Sequence, residues 1–306
     1  MSSSRRVRCL APVVSLLLMS NVCFAAGDLK PTHQQIGALA ASSRTRIREL
    51  SAFCLDRVGN ALLCDLRNKA VKLVSPADSL LATYRIPFGP EAIACAQDGS
   101  IYVGGADGRM AILNRNGRVV TTTKRRPATP TITSIALAGS DVFVAGESNL
   151  GYAIFRLDRK LSRSRRIVDG LSGCCGQMDI AWSGDRLWVA ENGRKRLVAY
   201  DRTGKRLKAW AKDGENDEDL DTFCGCCNPM SLTVGPDGLL YTSESDLGRV
   251  KVYRPDGTLT SYVGRAKIGE GCVRTTVRML PDASRVYVLD TDNNVVRVLR
   301  PLRGAS

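Results

Sequence analysis

A pattern of short strands and tight turns recurs along most of this chain of 306 residues. In its clearest copy, residues 228–257, runs of alternating apolar and polar residues are separated by Pro-Asp-Gly turns, which is typical of antiparallel hairpins. One apolar or aromatic residue marks the second strand of each copy, and successive marks lie 39 to 53 residues apart. Six copies carry this mark: Leu63, Tyr102, Phe143, Trp188, Tyr241 and Tyr287.

Repeats of this length, with four strands each, predict a closed ring of small sheets. The expected fold class is all-β, a six-bladed β-propeller that spans residues 44–303. The last copy ends after its third strand, residues 295–299, so we expect the N-terminal segment to supply the outer strand and close the ring. Residues 44–50 are the candidate for that strand. Before it, residues 26–43 are predicted to form a short helical segment.

Two stretches of the repeat resemble a known family. Residues 229–257 and 188–204 look like the NHL repeat, and the Gly-Cys-Cys-Asn-Pro element at 225–229 resembles that of a group of exported bacterial NHL proteins. The resemblance implies a propeller. NHL propellers include scaffolds, ligand binders and lyases, so the resemblance alone implies no activity.

The first residues have the composition of an export signal. Arg5, Arg6 and Arg8 precede an apolar run at residues 10–24, and Cys-Phe-Ala at its end fits a cleavage site. We therefore predict a signal peptide over residues 1–25 and a mature protein that is periplasmic or secreted. The apolar run is too short and too often interrupted to predict a transmembrane segment.

Basic residues outnumber acidic ones, 44 Lys and Arg against 30 Asp and Glu, and they are densest at residues 156–166. This balance favours an anionic envelope surface or a protein as the unidentified partner. Nucleic acid is not expected, because few aromatic residues lie near the basic run. A solvated edge strand is the simpler alternative. We expect a monomer.

Cysteines recur at one phase of the repeat. Each cysteine-rich stretch comes just before a strand, so that Cys175 lies five residues before Ile180 and Cys227 five before Leu232. Equivalent positions of a propeller meet around one axis, and we therefore predict one thiol site in the entry loops of blades four, five and six. The predicted metal-ligating residues are Cys174, Cys175, Cys224, Cys226, Cys227 and Cys272.

Three interpretations of these thiols stay open. Disulfides are the default in an oxidising compartment, but an odd number of the eleven cysteines remains after the two in the signal are removed. Thiolates also bind Cu, Zn or Fe, and a reactive redox cysteine is the third possibility. Cys54, Cys64 and Cys95 fall on strands instead, where burial or a Cys54–Cys64 bridge is expected.

Carboxylates follow the second strands of the same three blades. Glu191, Glu244 and Asp290 occupy equivalent positions, and we predict that they surround the channel mouth beside the thiols. The single histidine, His33, precedes the propeller and is expected on the surface of the N-terminal helix. A histidine-based metal site and an imidazole general base are therefore excluded.

Together these features predict an exported propeller that acts as a binding or scaffold protein, whose cysteine-rich site binds a soft metal or is redox-active. One alternative is an enzyme of the carboxylate-metal lactonase or lyase type. Another is a protein-interaction domain held by disulfides. The sequence leaves open whether the protein is an enzyme.

Overall fold

The computed structural model describes residues 29–123, 129–225 and 227–303 of the chain. Within these residues, strands β1 to β24 form six antiparallel sheets of four strands each. All six marked residues of the repeat lie in the second strand of a sheet. The predicted six-bladed β-propeller is therefore confirmed.

Five blades consist of four consecutive strands, and the sixth takes its outer strand from the N-terminal segment. The first three blades are β2 (Leu50–Leu55), β3 (Ala61–Asp65), β4 (Ala70–Val74) and β5 (Leu80–Arg85); β6 (Pro90–Cys95), β7 (Ile101–Gly105), β8 (Met110–Leu113) and β9 (Val119–Thr122); and β10 (Ile132–Ala138), β11 (Asp141–Ser148), β12 (Gly151–Asp158) and β13 (Ser164–Leu171). The other three are β14 (Asp179–Ser183), β15 (Arg186–Glu191), β16 (Arg196–Tyr200) and β17 (Arg206–Ala211); β18 (Ser231–Val234), β19 (Leu240–Ser243), β20 (Arg249–Tyr253) and β21 (Leu259–Arg265); and β22 (Val277–Met279), β23 (Val286–Asp290), β24 (Val295–Pro301) and β1 (His33–Leu39).

The N-terminal segment closes the ring, but with a different stretch from the one predicted. Strand β1 pairs antiparallel with β24, with His33 opposite Pro301 and Leu39 opposite Val296. Residues 44–49 instead form a turn and loop, and Leu50 begins the first strand of the first blade. The open edge of β24 offers a row of unpaired backbone groups, and the earlier segment satisfies them.

The helix predicted within residues 26–43 is wrong for the described part, residues 29–43. That segment contains β1, because a short isolated helix has no packing partner to offset its nucleation cost, whereas a strand gains the hydrogen bonds of β24. His33 is therefore half-buried on a strand rather than exposed on a helix. Burial lowers the pKa of His33 below its ordinary value.

Hydrophobic side chains fill the spaces between neighbouring blades. Each of the six buried clusters combines residues from two adjacent sheets. At the closure, Leu289 and Val296 of the sixth blade pack with Phe53 and Leu63 of the first. The sheets are separate hydrogen-bonded units, so apolar burial between them holds the ring together.

The first strand of each blade lies innermost, around the channel. Because the inner strands run in the same sense, their entry loops gather at one channel mouth and their exit ends at the other. The predicted signal peptide, residues 1–25, lies outside the described residues. In the part of the chain that the structure describes, no helix has the length and hydrophobicity needed to cross a bilayer.

Candidate thiol site

Three entry loops bring four of the six predicted cysteines together. The Sγ atom of Cys227 lies 2.9 Å from that of Cys175, 3.0 Å from that of Cys174 and 3.6 Å from that of Cys272. The sulfurs of Cys174 and Cys175 are 3.6 Å apart. Repeat phase alone therefore predicted correctly that thiols of blades four, five and six would meet.

The loop of the fourth blade is a tight turn that presents two adjacent thiols. Cys175 and Gly176 have positive φ angles of 54° and 68°, and the Gln177 amide donates to the Cys174 carbonyl at 3.2 Å. Asn192, just after the second strand, fixes this turn. Its side chain accepts from the Cys174 amide at 2.9 Å and donates to the Gln177 carbonyl at 3.2 Å.

Polar side chains hold the other two loops in the same way. Asn228, next to Cys227, accepts from the Ser245 amide at 2.7 Å and donates to the Cys224 carbonyl at 2.6 Å. The Ser245 hydroxyl donates to the Gly271 carbonyl at 3.1 Å, beside Cys272. Each thiol loop is thus tied to the turn that follows a second strand.

Sequence reasoning missed these anchoring residues. Asn192 directly follows Glu191 and Ser245 directly follows Glu244, the carboxylates at or just after the ends of second strands, and that shared position is the signal that identifies them. The anchors reduce the freedom of the thiol loops before any ligand binds, which favours binding.

Exposure differs among the four thiols. Cys227 is buried, Cys174 and Cys175 are half-buried, and Cys272 is exposed. Burial is the largest influence on Cys175, and although the hydrogen bond with Cys227 opposes it, the pKa of Cys175 rises to about 11. Cys175 on its own is therefore a neutral thiol at pH 7, and a bound cation would be needed to make it a thiolate.

Of the remaining two predicted cysteines, Cys224 does not join this group. The Sγ atom of Cys224 lies 2.8 Å from the Asn216 carbonyl and 3.2 Å from the Thr222 hydroxyl, in a buried position. The chain turns at Gly225, where φ is 75°, and this turn separates Cys224 from Cys227. Cys226 lies outside the described residues.

The three carboxylates that we predicted around the channel mouth are fully buried in ion pairs. They are therefore not open to a ligand there. Their charges are satisfied within their own blades. Each pairs with basic side chains of the following turn or strand: Glu191 with Arg194 and Arg196, Glu244 with Arg249 and Lys251, and Asp290 with Arg297. These carboxylates are therefore structural elements of the blades rather than open ligands.

The channel itself has a polar centre that the sequence did not predict. The carboxylate of Asp179 accepts hydrogen bonds from the hydroxyls of Ser134, at 2.6 Å, and Ser231, and from the Arg278 guanidinium at 3.1 and 3.2 Å. Burial acts to raise the pKa of Asp179, but Arg278 and the hydroxyls outweigh it and lower the pKa below its ordinary value. This network joins the inner strands of blades three to six.

A second ion pair crosses the channel near the thiol mouth. Arg274, two residues after Cys272, reaches Glu91 on the inner strand of the second blade at 2.6 Å. Gln177 donates to the Thr275 carbonyl at 3.0 Å, which ties the fourth blade to the sixth. Basic and acidic side chains therefore close the axis just beneath the thiols.

Comparisons with known proteins agree with this fold. Residues 80–113, from β5 to β8, match a family described as strictosidine synthase-like, N-terminal. A catalytically inactive virginiamycin B lyase from Staphylococcus aureus, solved with quinupristin, is similar over 83% of this chain and 80% of its own, with 12% identity and a TM-score of 0.58. A streptogramin B lyase shows 13% identity over 83% of this chain and 79% of its own, with the same TM-score of 0.58.

A selenomethionine-substituted virginiamycin B lyase from Staphylococcus aureus covers 88% of this chain and 99% of its own, at 10% identity and a TM-score of 0.57. Among curated proteins, none matches the sequence significantly. At these identities the similarity shows the fold alone. The chain is a β-propeller, the fold that it shares with these solved structures.

Proposed function

We propose that this protein binds one soft metal ion, Cu or Zn rather than a hard cation, through the thiolates of Cys174, Cys175 and Cys227. Cys272 supplies a fourth sulfur at the open side of the site. The observation that supports this proposal is that the first three sulfurs all lie within 4.8 Å of one another. Sulfur ligands without imidazole or free carboxylate favour Cu(I) and Zn among the common metals.

The position of Cys227 favours a shared ligand over a disulfide. Its sulfur is almost equally close to those of Cys174 and Cys175, at 3.0 and 2.9 Å. A disulfide would use one of these partners and leave the other unpaired, whereas a metal ion uses all three. The disulfide-stapled domain remains the alternative that the experiment below tests directly.

Binding, rather than catalysis, is the activity that the surrounding residues support. The carboxylates that an enzyme of the lactonase or lyase type would use are each neutralised by arginine or lysine. A histidine-to-alanine variant of the similar Staphylococcus aureus lyase is catalytically inactive. The single histidine here, His33, lies on the outer strand β1.

Export and a partner on the basic face complete the proposal. Residues 1–25 direct the chain to the periplasm or the medium, and residues 156–166 carry the densest positive charge. Arg156 is paired with Asp141 at 3.1 Å and Arg166 with Asp169 at 2.7 Å, and both Arg165 and Arg166 are exposed on the outer strand β13. An anionic envelope surface or acidic protein fits this strand.

Elemental analysis of protein purified without oxygen tests the metal site. We expect about one equivalent of Cu or Zn in the wild type and at least a tenfold loss in Cys227→Ser, because the buried sulfur common to all contacts is removed. Cys224→Ser is the matched control, since that cysteine belongs to the same loop but not to the cluster, and it should keep its metal.

Two outcomes would contradict the proposal. One is a wild type that neither contains nor takes up Cu(I) or Zn²⁺ after reduction. The other is a disulfide between peptides 167–186 and 213–249 in protein that was never exposed to oxidant, which would establish the disulfide-stapled domain instead.

A further inference from the structure

A second pair of thiols lies at the other end of the channel. Cys54 is near the exit end of β2 and Cys95 is the last residue of β6, the inner strands of blades one and two. Their Sγ atoms are 2.9 Å apart, and the two cysteines are not bonded. Cys54 is 6% exposed, whereas Cys95 is half-buried.

These two cysteines line a cavity of about 210 Å³ that opens at the exit mouth. Ile93, Ile135 and Trp182 form part of its walls, and the cation Arg278 also lines it. The entry loops with the thiol cluster lie at the opposite ends of the inner strands. The cavity is therefore a separate site, with its own access to solvent.

A third cysteine lies near this pair but has no access to solvent. Cys64 belongs to the same core cluster and is fully buried. In the register of the first blade, Cys54 lies opposite Leu62 and Cys64 opposite Ala52, so the Cys54–Cys64 bridge considered from the sequence has no direct pairing. The sulfur that contacts Cys54 comes from the next blade instead.

No backbone hydrogen bonds bring β2 and β6 together, because they belong to different sheets. The approach of Cys54 to Cys95 therefore depends on how the two blades pack. The two sulfurs are already in contact, and both cysteines line the cavity. Contact gives each thiol a partner, and the cavity gives an oxidant access to the pair.

We propose that Cys54 and Cys95 form a redox pair, which a small-molecule disulfide entering the exit-mouth cavity oxidises to an intramolecular disulfide. The half-buried Cys95 acts first. Its sulfur attacks one sulfur of the incoming disulfide, a mixed disulfide forms at Cys95, and the first leaving thiolate takes up the proton that Cys95 releases.

Cys54 then completes the exchange. Its sulfur attacks the Sγ atom of Cys95, the bond to the small molecule breaks, and the second thiolate leaves with the proton from Cys54. Two protein thiols are oxidised while one disulfide is reduced to two small thiols. The order follows from access, since Cys54 is 6% exposed and faces Cys95.

Tryptic mapping tests this pair directly, because each thiol falls in a different peptide. Cys54 lies in residues 49–57, Cys64 in 58–67 and Cys95 in 86–109. Reduced full-length protein is incubated with oxidised glutathione, denatured, alkylated and digested. We expect peptides 49–57 and 86–109 to be recovered as one linked species, with Cys64 alkylated.

Single variants test the order of attack. Cys54→Ser should accumulate glutathione on Cys95, because the second step is blocked, whereas Cys95→Ser should leave Cys54 unmodified at the same time point. Cys64→Ser is the control and should form the linked species as the wild type does.

Alkylation of both peptides at every glutathione ratio would overturn the proposal, and so would a bridge to peptide 58–67. The wild-type measurement needs no variant to fold. The thiol cluster at the entry mouth lies in peptides 167–186, 213–249 and 268–274, so its own oxidation is read separately.

Discussion

Buried charge in this protein is concentrated where second strands end. Glu244 is fully buried and faces two buried cations, Arg249 and Lys251, the latter at 2.6 Å. Burial acts to lower the pKa of Lys251, and its pKa lies below the ordinary value although Glu244 opposes the shift. Such a group is stable only as a complete set, because each charge left alone would be buried without a partner.

Replacing Glu244 by Gln should therefore destabilise the fold strongly. We expect the free energy of unfolding to fall by about 3–5 kcal/mol, because two buried cations lose their counter-charge. Urea denaturation measures the change. Glu49→Gln is the control, since its ion pair with Arg67 is exposed and should contribute little. Equal effects of the two variants would contradict a structural role for Glu244.

At the residue scale, the thiol cluster could be predicted from the sequence only in part. The recurrence of Cys175, Cys227 and Cys272 at one phase of the repeat was enough to predict that their sulfurs meet. The same phase placed Cys224 beside them wrongly, because the left-handed turn at Gly225 is not visible in spacing. Spacing also does not show that Glu191, Glu244 and Asp290 are paired with basic side chains.

At the scale of elements, strand β1 decides whether the ring is closed. Its inner residue Leu39 is 3% exposed and packs in the cluster between the sixth and first blades. On the same strand, Ile36 is 44% exposed. The strand thus contributes both backbone pairing to β24 and one buried anchor.

Leu39→Ala should lower the free energy of unfolding by about 2–5 kcal/mol, the usual result of truncating a buried leucine. Ile36→Ala, three residues earlier, should change it by no more than about 0.5 kcal/mol. Thermal and urea unfolding measure both. A large effect at Ile36 and none at Leu39 would show that the strand packs in another register.

The sequence identified the closure but not the strand that makes it. Residues 33–39 and 44–50 are both short and mixed in polarity, so local pattern does not choose between them. The choice depends on how long the connecting segment must be to run from the outer strand of the sixth blade to the inner strand of the first. That distance is a property of the assembled ring, which intrinsic propensity does not encode.

At the scale of the whole molecule, Asp179 joins blades that are otherwise separate sheets. Its pKa is lowered in the folded protein, so its contribution to stability is present above the unfolded pKa and is lost as pH falls through the folded one. The wild type should therefore lose stability progressively below about pH 4.

Asp179→Asn tests this linkage. The variant should be less stable than the wild type at pH 7, and the difference should shrink as pH falls from about 5 to 2, because the wild-type carboxylate becomes protonated there. Urea unfolding at several pH values measures it. A difference that stays constant with pH would show that Arg278 and the hydroxyls do not depend on the charge of Asp179.

The salt bridges across the axis restrict the passage of solutes along the channel. Arg274, Gln177 and Asp179 line a narrow space on the axis that has room for about one water molecule. The channel is therefore nearly closed between its entry mouth and its exit mouth. With so little room between them, the proposed metal site and the proposed Cys54–Cys95 redox pair would each exchange with the solvent at their own mouth of the channel.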